Sequence, residues 1–494
     1  MIKKHLFFFL IGSLIATSIQ GQELNILDFG AVGDGQTLNT KAIQLAVDKA
    51  HEQGGGRVVV PAGDFLSGTI ILKSNVELHL EKKATILGST NQDHYQKLNR
   101  WKGLIMADSA SRIAITGKGT LNGQGAKLAM SIDSLFYIGE LDSIDYKFPE
   151  MRPKWYLRPQ LIEFVNCQHI RVEGITLKNA SCWVQSYDRC YHLVIDQIRV
   201  ESDVYWNNDG MDIVDSRNVQ LTNSYFNSGD DGICIKSYKD DLICDSIYIA
   251  NCTIRSSASA VKLGIAGRGG FTNIVIRDIK VFDTFRSAIT IQSVYGGKVE
   301  DILVENVVAT NTGNAIFLRL GDSKYAHKPP GTLKNVTIRN VKVTVPFERP
   351  DYNYQMRGPE LAFFHNPFPS SIVGIPGHPI QNITLENIEI SYPGRGNKAY
   401  AYLPLTRLNS IPEREKHYPE FSMFGELPAW GFYVRHAEGI TFKNVVLKIR
   451  DVDYRPAIVF DDVKNSELKG VEIKGDEKKQ QFFFHQSENI RELK

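Results

Sequence analysis

Along most of the chain, apolar and polar residues alternate in short units of one design. Ten-residue units begin at Arg217, Asp245, Thr272, Glu300, Lys334, Gln381 and Glu438, with weaker copies at Gln168 and Tyr191. Each sets polar positions between β-branched apolar ones, the period of a strand that buries one face. The residue before the first apolar position recurs as His169, His192, Asn218, Ser246, Asn273 and Asp301, at steps of 23, 26, 28, 27 and 28 residues. The steps lengthen to 34, 47 and 57 through Asn335, Asn382 and Gly439. A period in the twenties, with several short strands and no helix inside it, predicts an all-β solenoid, the parallel β-helix. Leucine-rich repeats share the period but not this pattern, and a propeller blade needs about 40 residues. Asn223, Asn251, Asp278, Asn306, Asn340, Asn387 and Asn444 fall at one place in the unit. Stacked coils would set them above one another, their side chains bonding along the stack.

The remaining segments read as attachments to that solenoid. Asn39 or Thr40 is placed to cap an amphipathic helix over Ala42, Ile43, Leu45, Ala46, Val47 and Ala50. Such a helix would cover the open N-terminal end, where strand edges are otherwise bare. Three stretches, 126–158, 346–379 and 393–435, break the repeat and are rich in aromatic residues. Loops of that length are commonly functional, and these are expected to wall one side of the solenoid. At the start, Lys3 and Lys4 precede an apolar run from Leu6 to Ala16, with small and polar residues up to Gly21. That is the pattern of a signal peptide over residues 1–21. The run is well short of the ~20 residues that span a bilayer, so the expectation is an exported protein, periplasmic or extracellular. Residues 22–494 would then form one domain with no membrane span.

Composition narrows the partners. The 494 residues carry 57 basic against 55 acidic side chains, a net charge of +2. No broad positive field exists to hold nucleic acid. Six cysteines are too few for a disulfide scaffold at this length. Cys167, Cys182, Cys190, Cys234, Cys244 and Cys252 fall on or beside strands, where buried free thiols are common, and their pairing is not legible. No zinc spacing occurs, and the pairs Asp240–Asp241 and Asp461–Asp462 read as solvated turns without a calcium loop. No metal or cofactor is expected. Oligomeric state is not legible.

Two acidic clusters carry the candidate chemistry: Asn207-Asn208-Asp209-Gly210-Met211-Asp212 and Gly229-Asp230-Asp231-Gly232. Either alone is ordinary turn composition. Asp209, however, lies 21 and 22 residues before Asp230 and Asp231, close to one coil. One coil is one strand spacing, about 4.8 Å, so the three carboxylates are expected in one groove. Like charges that close cannot all ionise, and one group keeps its proton. A proton donor beside carboxylate bases is what glycoside hydrolysis uses.

With these clusters, Asp28-Phe-Gly-Ala-Val-Gly-Asp-Gly, Gly117-Lys-Gly-Thr-Leu-Asn-Gly-Gln-Gly and Asn179-Ala-Ser-Cys-Trp, most of the chain resembles glycoside hydrolase family 28, the polygalacturonase group. The resemblance implies a right-handed β-helix and inverting hydrolysis of pectic poly- or oligosaccharide. It implies Asp230 as general acid, with Asp209 and Asp231 activating water and Asn207 on the substrate. The chain also departs from the family. The family's Gly-His-Gly aligns with Ala258-Ser259-Ala260, and its uronate-gripping Arg-Ile-Lys with Thr290-Ile291-Gln292. Lys262 and Arg286 stand near those gaps as substitute cations, and Gln292 takes the place of the lysine. A rhamnogalacturonan-type or terminal-residue substrate therefore fits better than internal cleavage of smooth homogalacturonan. The alternatives are a β-helical polysaccharide lyase, which would need calcium and a strong base, and a non-catalytic carbohydrate-binding β-helix.

Overall fold

The computed structural model describes residues 21–354, 361, 363–477 and 480–493. The expected signal peptide therefore lies outside the described residues, apart from Gly21. What is described is a stack of parallel coils. The repeat units pair in register one above another, so that Ile170, Leu193, Val219, Ile247, Ile274, Ile302, Val336, Ile383 and Ile440 form a single column. None of these side chains is more than 2% exposed, each contributing about 1.5–3 kcal/mol by leaving water. The alternation seen in the sequence is thus the inner face of the solenoid.

The corners explain the recurring polar residues. Asn223, Asn251, Asp278, Asn306, Asn340, Asn387 and Asn444 all hold φ between 52° and 56°. That left-handed region excludes β-branched side chains but tolerates Asn and Asp. Their amides also form the expected ladder: Asn340 donates to Asn306 at 3.1 Å, Asn387 to Asn340 at 3.0 Å and Asn444 to Asn387 at 3.1 Å. The residues that marked the period, from His169 to Asn382, occupy a second left-handed corner.

A helix α1 spans Thr40–Glu52 and lays Ile43, Ala46, Val47 and Ala50 against the first strands. Asn39 precedes it but makes no side-chain cap. Its carboxamide is committed instead to the backbone of Val32 and Thr37. The first interruption, read as loop, contains a helix α2 over Gly125–Tyr137, with Leu128, Ala129 and Ile132 buried. The later interruptions fold back on the solenoid. Phe368, Leu408, Ile411, Phe421, Phe424 and Leu427 share a second core with Phe317, Val373, Tyr433 and Val459. Phe317, Tyr433 and Val459 stand in the column that continues Lys262 and Thr290. The loops therefore cover the same face that carries the acidic clusters.

Two expectations about polar residues meet different outcomes. All six cysteines are free and buried. Asp461, read as part of a solvated turn, is instead 2% exposed. It faces Arg435 of the preceding coil at 3.2 Å and accepts hydrogen bonds from Tyr433 and His485. Its register position beneath a loop, invisible in the pair of aspartates alone, accounts for the burial.

Candidate active site

Strand Met211–Val214 pairs in parallel with Ile233–Ser237, aligning Met211 with Ile233 and Asp212 with Cys234. Just before them, the Gly210 amide donates to the Asp231 carbonyl at 2.8 Å. Asp209 and Asp231 thus hold equivalent places on successive coils. Asp230 is next to them, its amide reaching the Asn208 carbonyl at 3.3 Å. Asp209 and Asp231 are 5% and 3% exposed, whereas Asp230 is only half-buried.

Cations divide the carboxylates into different roles. Lys262 Nζ lies 2.7 Å from Asp231, which also accepts the Ser259 amide at 3.1 Å. Lys236 Nζ lies 3.0 Å from Asp209 and also hydrogen-bonds Asp212, which is fully buried. Among the described residues no cation pairs with Asp230. Its side chain accepts only the neighbouring Asp231 amide, at 3.0 Å.

Protonation follows from that division. Burial and the adjacent Asp231 raise Asp230 above the usual carboxylate range. Burial would raise Asp231 too, but Lys262, Arg286 and Lys236 outweigh it and hold that carboxyl below its ordinary value. Burial raises Asp212 to about 7 against the pull of Lys236. Asp209 is raised as well, because burial and its three acidic neighbours exceed the help of a shared ammonium. Lys236 and Lys262 both remain protonated, since the carboxylates beside them more than offset desolvation.

The other anticipated residues are placed as follows. Asn207 accepts from Arg158 at 2.9 Å and from Arg152, the latter arriving on the segment after α2. Arg286 pairs with Glu420 at 3.0 Å. Gln292 is 1% exposed and donates to the Pro419 carbonyl at 3.2 Å, beneath a strap that runs from Ile411 to Phe421. The Tyr418 hydroxyl of the same strap lies 3.2 Å from Lys262 Nζ. Ser259, standing where the family's histidine would be, is buried with its amide on Asp231.

Lys236 and Glu420 were not singled out in the sequence, and Asp212 and Trp183 stood there only as members of motifs, with no role of their own. Lys236 had a readable signal, a lysine inside the apolar strand Ile233–Ser237 one coil after Asp212. Its ammonium also sits 4.2 Å from the Trp183 ring. Asp209, Asp212 and Cys234 present ligand atoms within 4.8 Å of one another, a set able to hold a metal. The Lys236 ammonium already serves both carboxylates there as their cation.

Comparison with known proteins identifies the family of the chain. The family model described as Glycosyl hydrolases family 28 matches residues 52–349. A probable polygalacturonase of Vitis vinifera is 27% identical over 346 residues, covering 66% of this chain and 63% of that protein, just short of two thirds. An exopolygalacturonase of Zea mays is 24% identical over 420 residues, covering 77% of this chain and 86% of the other. Among solved structures, an exopolygalacturonase from Thermotoga maritima superposes with a TM-score of 0.62 at 23% identity, covering 87% of this chain and 92% of that one. That likeness is one of fold.

Proposed function

The chain belongs to the glycosyl hydrolases of family 28, and from that premise we propose that it hydrolyses α-linked, galacturonate-containing pectic chains with inversion at the anomeric carbon. The observation that carries this reading is the pairing of a cation-bound carboxylate, Asp231, with a neighbour that has no cation, Asp230. Asp230 keeps its proton and passes it to the glycosidic oxygen as the carbon–oxygen bond breaks. Asp231, held ionised by Lys262, takes a proton from the water that bonds to the anomeric carbon from the opposite face. Asp209, one coil earlier and sharing Lys236 with Asp212, orients that water. Inverting geometry asks for carboxyl groups about 6.5–9.5 Å apart, leaving room for the water.

The names of the relatives support a pectic substrate, and two of those reported are exo-acting enzymes. Attack at chain ends also suits a groove roofed by the strap 411–421. We further infer a right-handed winding, closure of the N-terminal end by α1, and export to the periplasm or cell exterior directed by residues 1–21. The lyase alternative is disfavoured by the lysines. Elimination needs an uncharged basic side chain beside a uronate, and both Lys236 and Lys262 are charged and committed to carboxylates.

The decisive test is Asp230→Asn assayed on galacturonate oligomers. The expected loss is about three orders of magnitude or more in kcat with little change in melting temperature, since general-acid catalysis supplies about 10²–10⁴-fold. Proton NMR of the first product of the wild-type protein should show the β-anomer. Near-wild-type turnover by the variant, or products with an unsaturated ring, would overturn the proposal.

A further inference from the structure

Beyond Asp231, toward the C-terminal end of the stack, the next coils bring Lys262, Thr290 and Gln292 onto the same face. Arg286 joins them from a register shift in the strand Gly270–Ser293. The strap residues Pro419, Glu420 and Phe421 close over these groups, leaving a cavity of about 10 Å³. That is room for roughly one water or hydroxyl. Among the described residues, the cations of this corner are already taken. Lys262 is on Asp231, Arg286 is on Glu420, and Lys236 is on Asp209 and Asp212. Glu420 itself is half-buried and lines the cavity, so its charge is not withdrawn into the core.

Arg286 and Gln292 both line this cavity, and each has one buried atom, Arg286 Nε and Gln292 Oε1, with no hydrogen-bond partner among the described residues. One is a donor and the other an acceptor, the complement of a hydroxyl group. A substrate carboxylate would meet the ionised Asp231 and Glu420, with no uncommitted cation among the described residues that line the cavity.

The strap is not a loose cover. Arg319 donates to the Glu413 carbonyl at 2.7 Å and Arg435 to the Ile411 carbonyl at 3.0 Å. Phe421 packs edge-on against Phe368 at 5.2 Å, inside the second core. Glu420 is therefore a fixed charge on Arg286.

Resting on the reading of this chain as a hydrolase of galacturonate-containing chains, we propose that Glu420 determines specificity: by occupying Arg286 it makes the position beside the scissile bond, on the strap side, accept an uncharged ring and reject a uronate. The ring is a neutral sugar or an esterified uronate that sends one hydroxyl toward Arg286 Nε and Gln292 Oε1. Specificity here comes from a repulsive group built into the protein rather than from an added attraction.

The test compares kcat/KM for digalacturonate and its two mono-methyl esters, which differ only in which ring keeps its charge. In the wild-type protein, esterifying one particular ring should raise kcat/KM about tenfold, and esterifying the other should not. In Glu420→Gln that advantage should shrink to about twofold or less, with Glu420→Ala giving the same trend. Hydrolysis with no ester preference in the wild-type protein overturns the assignment whether or not either variant folds. So does a preference that survives in both variants, and each of these results leaves the hydrolase reading standing. Failure of the wild-type protein to cleave any galacturonate substrate removes the hydrolase reading and this inference together.

Discussion

Five carboxylates and three cations meet within a few coils, and the acid–base assignment rests on how unequally they are matched. Asp231 has Lys262 at 2.7 Å, Asp209 and Asp212 share Lys236, and Arg286 spends its charge on Glu420. A working site needs Asp231 ionised and Asp230 protonated. Activity should therefore fall at low pH as Asp231 gains its proton, and fall again at higher pH as Asp230, raised above the ordinary range, loses its own. Removing the cation tests the acidic limb. In Lys262→Met, burial is no longer offset by its nearest charge, so the carboxyl of Asp231 rises. The low-pH limb of kcat/KM should then move upward by about one pH unit or more, while the high-pH limb moves less. A profile of kcat/KM against pH for the two proteins measures both limbs at once. An unmoved acidic limb would show that Lys262 does not set the charge of Asp231.

Among elements, the coil corners show most plainly how sequence becomes fold. Asn340 holds φ at 55°, donates to Asn306 and accepts from Asn387. Two effects can be separated there by substitution. Glycine removes both ladder bonds but adopts the left-handed corner freely, whereas alanine loses the bonds and adds about 1–2 kcal/mol of backbone strain. Asn340→Ala should thus melt several degrees below Asn340→Gly, which itself melts slightly below the native protein. Equal melting temperatures would mean that the ladder, not the corner, is what asparagine supplies.

The same physics decides what was legible. Alternation and left-handed corners are local properties, so the columns, the asparagine ladder and the one-coil spacing of Asp209 and Asp231 were all readable from the chain. Helix α2 was not, because Gln124 at its start sits at φ 50° and offers no side-chain cap. Glu420 escaped notice and Asp461 was misread as a solvated turn because their partners, Arg286 and Arg435, become neighbours only when the coils are stacked and the strap is laid over them.

At the scale of the whole molecule, stacking makes the two ends unequal. A coil in the middle, such as Gly270–Ser293, is bonded to Cys244–Ser256 on one side and Lys298–Leu320 on the other. The first coils have α1 laid against them, and Val58 and Val60 are fully buried. The last strands, Phe482–His485 and Glu488–Leu493, pair only with Ile458–Lys474 among the described residues. Their side chains are half-buried or exposed, including Phe482, Phe483 and Phe484. In a solenoid each coil is stabilised by its own contacts and those of its two neighbours, so a coil with one neighbour should open on its own. Amide hydrogen exchange followed by mass spectrometry should therefore show 482–493 exchanging about a hundredfold or more faster than 274–281, with 57–60 remaining close to the slow limit. Slow exchange at 482–493 would mean that a second molecule, or residues outside those described, covers that edge. Fast exchange at 57–60 would mean that α1 does not close the other end.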